Sequence, residues 1–249
     1  MTWSPQQYGR FEEDRTRPVR DLVAAIPNAG VATAVDLGCG PGNSTEVLAA
    51  RYPDAVISGL DSSAEMIAAA RQRLPTLRFE VGDIAQWEGR ADVVLSNAAL
   101  HWLPDHATLL PRLVTRLTPG GTMAIQMPDN LEEPAYRVMR EVAGPALLER
   151  AGGQRGGMES ADGYYGILKA VCSRVDLWRT TYFHVLESTD AIVEWFKGSG
   201  LRPFLQALDE PGRADFLARY RAGIAAAYPS QADGTALLPF PRLFLVATR

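Results

Sequence analysis

"VDLGCGPGNSTEVL", Val35 to Leu48, decides the fold: an apolar, strand-like run ends near an aspartate, passes through three glycines and continues into a helical pattern. Open α/β folds hold nucleotide-like ligands on such a strand-to-helix turn. The turn needs unusual dihedrals, and a side chain there would keep the ligand away from the backbone. Gly38, Gly40 and Gly42 meet that need, and Asp36 closes the strand before them. Their spacing is G-x-G-x-G, which differs from the G-x-G-x-x-G of dinucleotide enzymes.

Outward from this stretch, residues Gly30 to about Met127 alternate short apolar runs with amphipathic helical segments, the pattern of a parallel sheet covered by helices. The runs are "VATAVDL", "AVISGLD", "LRFEVGD", "DVVLSNA" and "GTMAIQM". "NSTEVLAARY", "SAEMIAAARQRL" and "HATLLPRLVTRL" lie between them with apolar residues at helical spacing. Asn43 and Ser62 read as helix N-caps, and Thr118 to Gly121 as a helix stop turning into a strand. Beyond Pro128 the periodicity predicts helices near 132–150 and 161–171, joined by a flexible Ala151 to Gly157, which together form a cap. A long strand at Ser173 to Val185, helices to about Tyr228 and a last strand from Arg242 complete the chain. The whole is expected to be a single domain over 1–249, with a ligand-binding core at 30–128 and helical insertions at about 129–172 and 186–240.

Of the 249 residues 47% are hydrophobic, enough for a large core, and no apolar run approaches the roughly 20 residues that cross a bilayer. The polar, mixed-charge start lacks the apolar core of a secretory signal, and only Cys39 and Cys172 are present, so a reducing cytoplasm is expected, without a membrane or an obligate protein partner. A net charge of −4 argues against nucleic acid. Three scattered histidines do not suggest a metal site; His106 reads as a surface residue and His184 as a strand residue.

Asp61 closes the second run 21 residues beyond Gly40, about the spacing at which an acid accepts hydrogen bonds from a ribose diol. Alone it would read as a helix cap. Asp83 closes the third run, where it either accepts a hydrogen bond from an adenine amino group or makes an Asx turn. Met66, one turn into the second helix, lies flat against the adenine or is simply core. Together these residues converge on the carboxyl edge of the sheet and imply an adenosine-containing ligand.

"VDLGCGPGNS", "GLDSS", "VGDI", "VVLSNAALHWLPD" and "LTPGGTMAIQMP", in this order, resemble the motifs of the class I S-adenosylmethionine-dependent methyltransferases over roughly residues 30 to 128. The resemblance implies an α/β Rossmann-like, seven-stranded, mostly parallel sheet whose last strand is antiparallel, with helices on both faces. It also implies S-adenosyl-L-methionine as cofactor and S-adenosyl-L-homocysteine as product. The methionine part would lie near the glycine loop and Asn97, the ribose on Asp61 and the adenine by Asp83 and Ile84. Tyr8 and Phe11 either fold over the cofactor, with Arg17 reaching its carboxylate, or belong to a helix packed on the sheet.

Nearly the whole chain is similar to the trans-aconitate methyltransferases, through "NSTEVL", "HWLPDH", "QMPDN", "VDLWRTTYFH", "SGLRP" and "FPRLFLVA". That resemblance implies a small polycarboxylate substrate, esterified at one carboxylate; the alternative is another small carboxylic acid or a hydroxylated metabolite. Arginine suits carboxylates because its planar fork binds them bidentately. Arg179 in an aromatic strand, Arg202 before a proline and Arg242 at the entry to the last strand sit at near-buried positions, where each serves either a substrate carboxylate or a structural acid. His101 and Trp102 after the fourth run read either as a pocket wall beside the methyl group or as a helix-entry pair. An ionised carboxylate needs no general base, so none is assigned. Tyr164 and Tyr165 line the pocket or form core, and Gln126 and Asn130 are further polar candidates.

Overall fold

The computed structural model describes residues 12–151 and 158–249. Tyr8 and Phe11, and all but the first residue of the expected flexible segment Ala151 to Gly157, lie outside them. The described residues form two compact units. One takes those within Met1–Pro128, Arg155–Thr180 and Leu243–Arg249, the other those within Asp129–Gln154 and Thr181–Arg242.

Seven strands form one sheet: β1 (Thr33–Leu37), β2 (Val56–Asp61), β3 (Arg78–Val81), β4 (Ala91–Asn97), β5 (Leu117–Pro128), β6 (Arg174–Leu186) and β7 (Ala236–Thr248), in the order β3-β2-β1-β4-β5-β7-β6. The pairs β1 with β2, β1 with β4, β2 with β3 and β4 with β5 are all parallel. β7 runs against β5, because Arg249 N donates to Gly121 O while Asp129 N donates to Pro241 O, so residue numbers rise along one strand as they fall along the other. The mostly parallel Rossmann-like sheet with an antiparallel last strand is therefore present. β1 has β2 on one side and β4 on the other. Its carboxyl end is thus the switch point where such sheets open a crevice.

In the first unit, α1 (Glu12–Ala24) packs on α2 (Asn43–Arg51) and on β5. α3 (Ala64–Arg73) lies on β2 and β3, while α4 (His106–Thr115) packs on β5 and on α6 (Ala161–Lys169). Val35, Leu37, Val94, Ile125, Leu110, Leu113, Tyr164, Leu168 and Leu245 belong to one buried apolar cluster. Strands buried on both faces explain the near-continuous apolar runs in the sequence. The α3 cap is Ser63, whose Oγ accepts from Met66 N, and Ser62 does not serve; extended backbone at Ser63 turns its hydroxyl to the open end of the helix. Likewise Asn43 is the first residue of α2, with Gly42 as its cap.

In the second unit α5 (Pro134–Arg150) bends at Gly144, whose φ is 63, just before Pro145. α7 (Thr189–Lys197), α8 (Arg202–Gln206) and α9 (Glu210–Ala227) follow. Its core is aromatic: Tyr136 meets Phe196 edge-on at 5.3 Å, Phe204 stacks on Phe216 at 5.8 Å, and Trp195 lies 4.6 Å from His184. β7 begins at Ala236, six residues before the sequence expectation of Arg242. Pro241 lies within it, keeping its carbonyl as an acceptor for Asp129 N and forfeiting only a donor.

At the amino edge of the sheet one carboxylate ties three strands. Asp92 at the start of β4 accepts from Ala32 N and Thr33 N at 2.9 Å each and from Thr118 Oγ1 at 2.6 Å. The Thr118 hydrogen bond, reinforced by those amides, holds its pKa below the ordinary value. Asp92→Ala is expected to lower stability by about 2 kcal/mol, the scale of charge-assisted hydrogen bonds. Urea unfolding tests this, and a loss within about 0.5 kcal/mol, typical of an ordinary surface change, would remove the hub role.

Candidate active site

The loop after β1 is built around glycines that do different work. Gly38 has φ +80, and a Cβ on it would lie 2.1 Å from Ala99 Cβ, in the loop after β4. Gly40 has φ +53, but a Cβ there would meet nothing within 4 Å. Gly38 therefore serves the packing of two loops, whereas the space over Gly40 is open to a ligand. Leu60 O accepts from both Gly38 N at 2.7 Å and Cys39 N at 3.0 Å, which ties the loop to the end of β2. Cys39 itself turns into a buried cluster with Ile67, Ala70 and Phe79, where burial and the nearby carboxylates push its thiol pKa up; it is no nucleophile.

Three carboxylates close three neighbouring strands in three different environments. Asp36 is fully buried, its Oδ2 accepting from Ser44 Oγ at 2.6 Å and Thr45 Oγ1 at 2.7 Å. Its Oδ1 is buried with no hydrogen-bond partner among the described residues. Burial pushes its pKa up to about 6; the two hydroxyls lower it, and the Asp61 charge adds to the rise. Asp61 is half-buried and held by two amides, Gly40 N on Oδ2 and Ser63 N on Oδ1, both at 2.9 Å. Asp83 is exposed, and its Oδ1 caps the 3-10 turn Ile84–Gln86 through Ala85 N at 2.8 Å. Ser63 and not Asp61 caps the following helix, so the helix-cap reading of Asp61 fails, whereas the Asx-turn reading of Asp83 is present; each carboxylate keeps acceptor capacity for a ligand.

Asn97 ends β4 with its Oδ1 buried and without a hydrogen-bond partner among the described residues. Met66 and Ile84 are buried side chains, on α3 and at the Asp83 turn respectively. Arg17 is exposed on α1, beside Thr16, whose hydroxyl lies 3.5 Å from Asn43 Nδ2 at the start of α2. His101 is buried in the turn Leu100–Trp102, and Trp102, 38% exposed, has its ring centroid 4.8 Å from that of His101. Gln126 is buried on β5, and Tyr164 is fully buried in the core, whereas Tyr165 is exposed.

The three arginines part company. Arg179 is exposed on β6, so its expected near-burial fails: alternation along the strand turns Trp178 onto Phe244, at 4.7 Å, and the arginine away. Arg202 is half-buried at the start of α8. Arg242 is 3% exposed, with its guanidinium 4.8 Å above the Phe240 ring. His106 is also buried, against the expectation of a surface residue, because Tyr164 covers it. Ala99, Ser44 and Thr45 were not singled out by sequence, although a buried strand-end acid demands nearby donors and "NST" supplies them.

Among the described residues no group of three or more His, Cys, Asp or Glu side chains is placed to hold a metal ion, and no helix is long and apolar enough to cross a membrane. Open space over Gly40, an amide-held acid on β2 and the buried carbonyl oxygen of Asn97 fit S-adenosylmethionine. Fold and loop chemistry define an S-adenosylmethionine-dependent methyltransferase, and residues 34–121 match the family described as Methyltransferase domain. Trans-aconitate 2-methyltransferases of Methylobacterium nodulans and Azoarcus sp. are 55% and 50% identical over 99% and 100% of this chain and 98% and 99% of their own. The chain belongs to the trans-aconitate 2-methyltransferase family. Phosphoethanolamine N-methyltransferase 2 of Haemonchus contortus, solved with S-adenosyl-L-methionine, shares the fold. Its TM-score is 0.56 at 17% identity, over 95% of this chain and 52% of that one. Coclaurine N-methyltransferase, solved with N-methylheliamine and SAH, has a TM-score of 0.52 at 14% identity, over 95% of this chain and 72% of that one.

Two expected outcomes follow from the geometry. Gly38→Ala must displace Ala99 and is expected to cost more stability than Gly40→Ala, which carries only the left-handed strain of about 1 to 2 kcal/mol; thermal unfolding alongside S-adenosylhomocysteine titration measures both, and Gly40→Ala should lose affinity while remaining folded. For Asp36, a folded pKa above the unfolded value means stability is greatest below about pH 4 and is lost as pH rises through about 6. Relative to Asp36→Asn, the wild type should therefore lose about 2 kcal/mol between pH 4 and pH 7. A pH-independent difference between the two would show that the carboxyl ionises without penalty.

Proposed function

We propose that the chain transfers a methyl group from S-adenosylmethionine to one carboxylate of trans-aconitate, forming its monomethyl ester and S-adenosylhomocysteine. The observation that carries this reading is the full-length likeness to relatives named trans-aconitate 2-methyltransferase. When bound, the cofactor supplies a methyl group on a cationic sulfur, already electrophilic toward an oxygen anion. A carboxylate is ionised at neutral pH, so the protein needs to orient and partly desolvate it and needs no base. Orientation of this kind is worth roughly 7 to 11 kcal/mol.

Asp61 is assigned the ribose, and Asp83, Ile84 and Met66 the adenine. The loop at Gly38, Gly40 and Gly42, with Asp36, Asn97 and Arg17, is assigned the methionine part. Support comes from the amides that orient Asp61, the acceptor capacity left on Asp83 and the open space over Gly40. His101 and Trp102 are assigned the wall beside the reacting carboxylate, with Tyr8 as a covering residue. Arg242 is our first candidate for a non-reacting carboxylate, since a buried guanidinium over an aromatic face is a strong anion anchor. Arg202, half-buried, and Arg179, exposed on its strand, are assigned the same class of contact. The small-molecule substrate and two buried, free cysteines support a cytoplasmic setting.

Labelled methyl transfer to trans-aconitate, cis-aconitate, citrate, isocitrate and a hydroxylated aromatic tests the reaction. A base-labile product from trans-aconitate is expected, formed faster than from the other acids. Label appearing only in a base-stable product would overturn the carboxylate reading and point to a hydroxyl acceptor.

A further inference from the structure

The segment Ala98 to Asp105, between β4 and α4, carries backbone strain at both ends. Ala98 has φ 52 and Asp105 φ 55, the two positive-φ non-glycine residues among those described. A side chain disfavours this conformation, so the surroundings must over-determine it. Ala98 N is held by Gln126 O at 2.8 Å, and Asp105 caps α4 through Thr108 N. The turn that bears His101 and Trp102 lies between these points, and a different contact holds it.

That contact comes from below the turn. Leu100 O accepts from Leu103 N at 2.8 Å and faces His106 Nε2 at 2.9 Å, so both of its lone pairs are engaged. A carbonyl only accepts, hence Nε2 carries the proton. In the neutral ring Nδ1 is then the acceptor and Tyr164, 2.6 Å away, donates its hydroxyl proton. Leu100 and Tyr164 are fully buried and His106 is 3% exposed, so water does not compete for these bonds. Tyr164 comes from α6, 58 residues further along the chain.

We propose that His106 and Tyr164 are positioning residues: the relay from the Tyr164 hydroxyl through the His106 ring to the Leu100 carbonyl sets the place of the His101–Trp102 turn, and so of the wall that orients the acceptor carboxylate. This rests on the assignment of His101 and Trp102 to the acceptor. The relay makes α6 part of the acceptor geometry although it contributes no group to the reaction. Tyr164 was legible only as pocket lining or core, and the structure assigns it a polar duty inside that core.

Tyr164→Phe removes the donor and keeps the packing. His106→Gln keeps an amide donor for Leu100 O and loses the tyrosine bond. Each is expected to lower kcat/KM for trans-aconitate about tenfold, with the affinity for S-adenosylhomocysteine within twofold of wild type. The double variant should be no worse than the poorer single one, because both break one relay. Amide hydrogen exchange on the S-adenosylhomocysteine complex gives a readout without substrate: Trp102 N and Leu103 N, which close the turn onto Ala99 O and Leu100 O, should exchange about tenfold faster in Tyr164→Phe. Unchanged exchange there, or single effects that multiply in the double variant, would overturn the relay. Accelerated exchange in Tyr164→Phe, beside a wild type that fails to methylate trans-aconitate, would leave the relay standing and sink the substrate reading alone.

Discussion

Among the described glycines the tightest constraint is the meeting of two loops with no room for a side chain: a Cβ on Gly38 would lie 2.1 Å from that of Ala99. β1 and β4 are parallel neighbours, so the loops leaving their carboxyl ends must pass each other. The glycine loop passes by giving up a side chain and taking φ +80, and the other loop by holding Ala98 at φ 52. Once those two are packed, Gly40 N reaches Asp61 and the first turn of α2 brings Ser44 and Thr45 onto Asp36. The edge bearing the glycine loop and the turn carrying His101 and Trp102 are thus parts of one packed arrangement.

Charge along that edge is graded by burial. Asp36 has no solvent and two hydroxyl donors, Asp61 is half-buried with two amides, and Asp83 is exposed with one. A row of carboxylates attracts a cationic cofactor and repels a polycarboxylate, so anions need cations of their own. Nearly all the basic residues are arginines, with only Lys169 and Lys197 as exceptions, and one of them, Arg242, is buried above Phe240. A bidentate, weakly hydrated cation suits such a position better than an ammonium group would.

Whatever rests on chain-local chemistry was legible in the sequence: the glycine loop, the acids ending β1, β2 and β3, and the alternation of strand and helix. These follow from dihedral freedom, periodicity and spacing, which need no knowledge of distant neighbours. Relations between residues far apart in the chain were not legible. Finer local geometry was not legible either: Ser63 and not Ser62 caps α3 because its extended backbone aims the hydroxyl at Met66 N, and β7 starts at Ala236 although Pro241 within it forfeits a donor, since its carbonyl still accepts. Arg179 is exposed because alternation along β6 from Trp178 onward turns Trp178 onto Phe244 and the arginine away.

The sequence by itself pointed to a mostly parallel α/β fold and to a ligand containing adenosine expected at the carboxyl edge of the sheet, since periodicity and the spacing of glycines and acids belong to single stretches of chain. Only the tertiary structure decided that His106 is buried and paired with Tyr164, that Gly38 rather than Gly40 is the packing glycine, and that Arg242 among the three arginines is buried. The physical reason is that burial, tautomer and clearance belong to contacts and not to the residue itself: His106 meets Tyr164 58 positions further on, and Gly38 meets Ala99 from another loop.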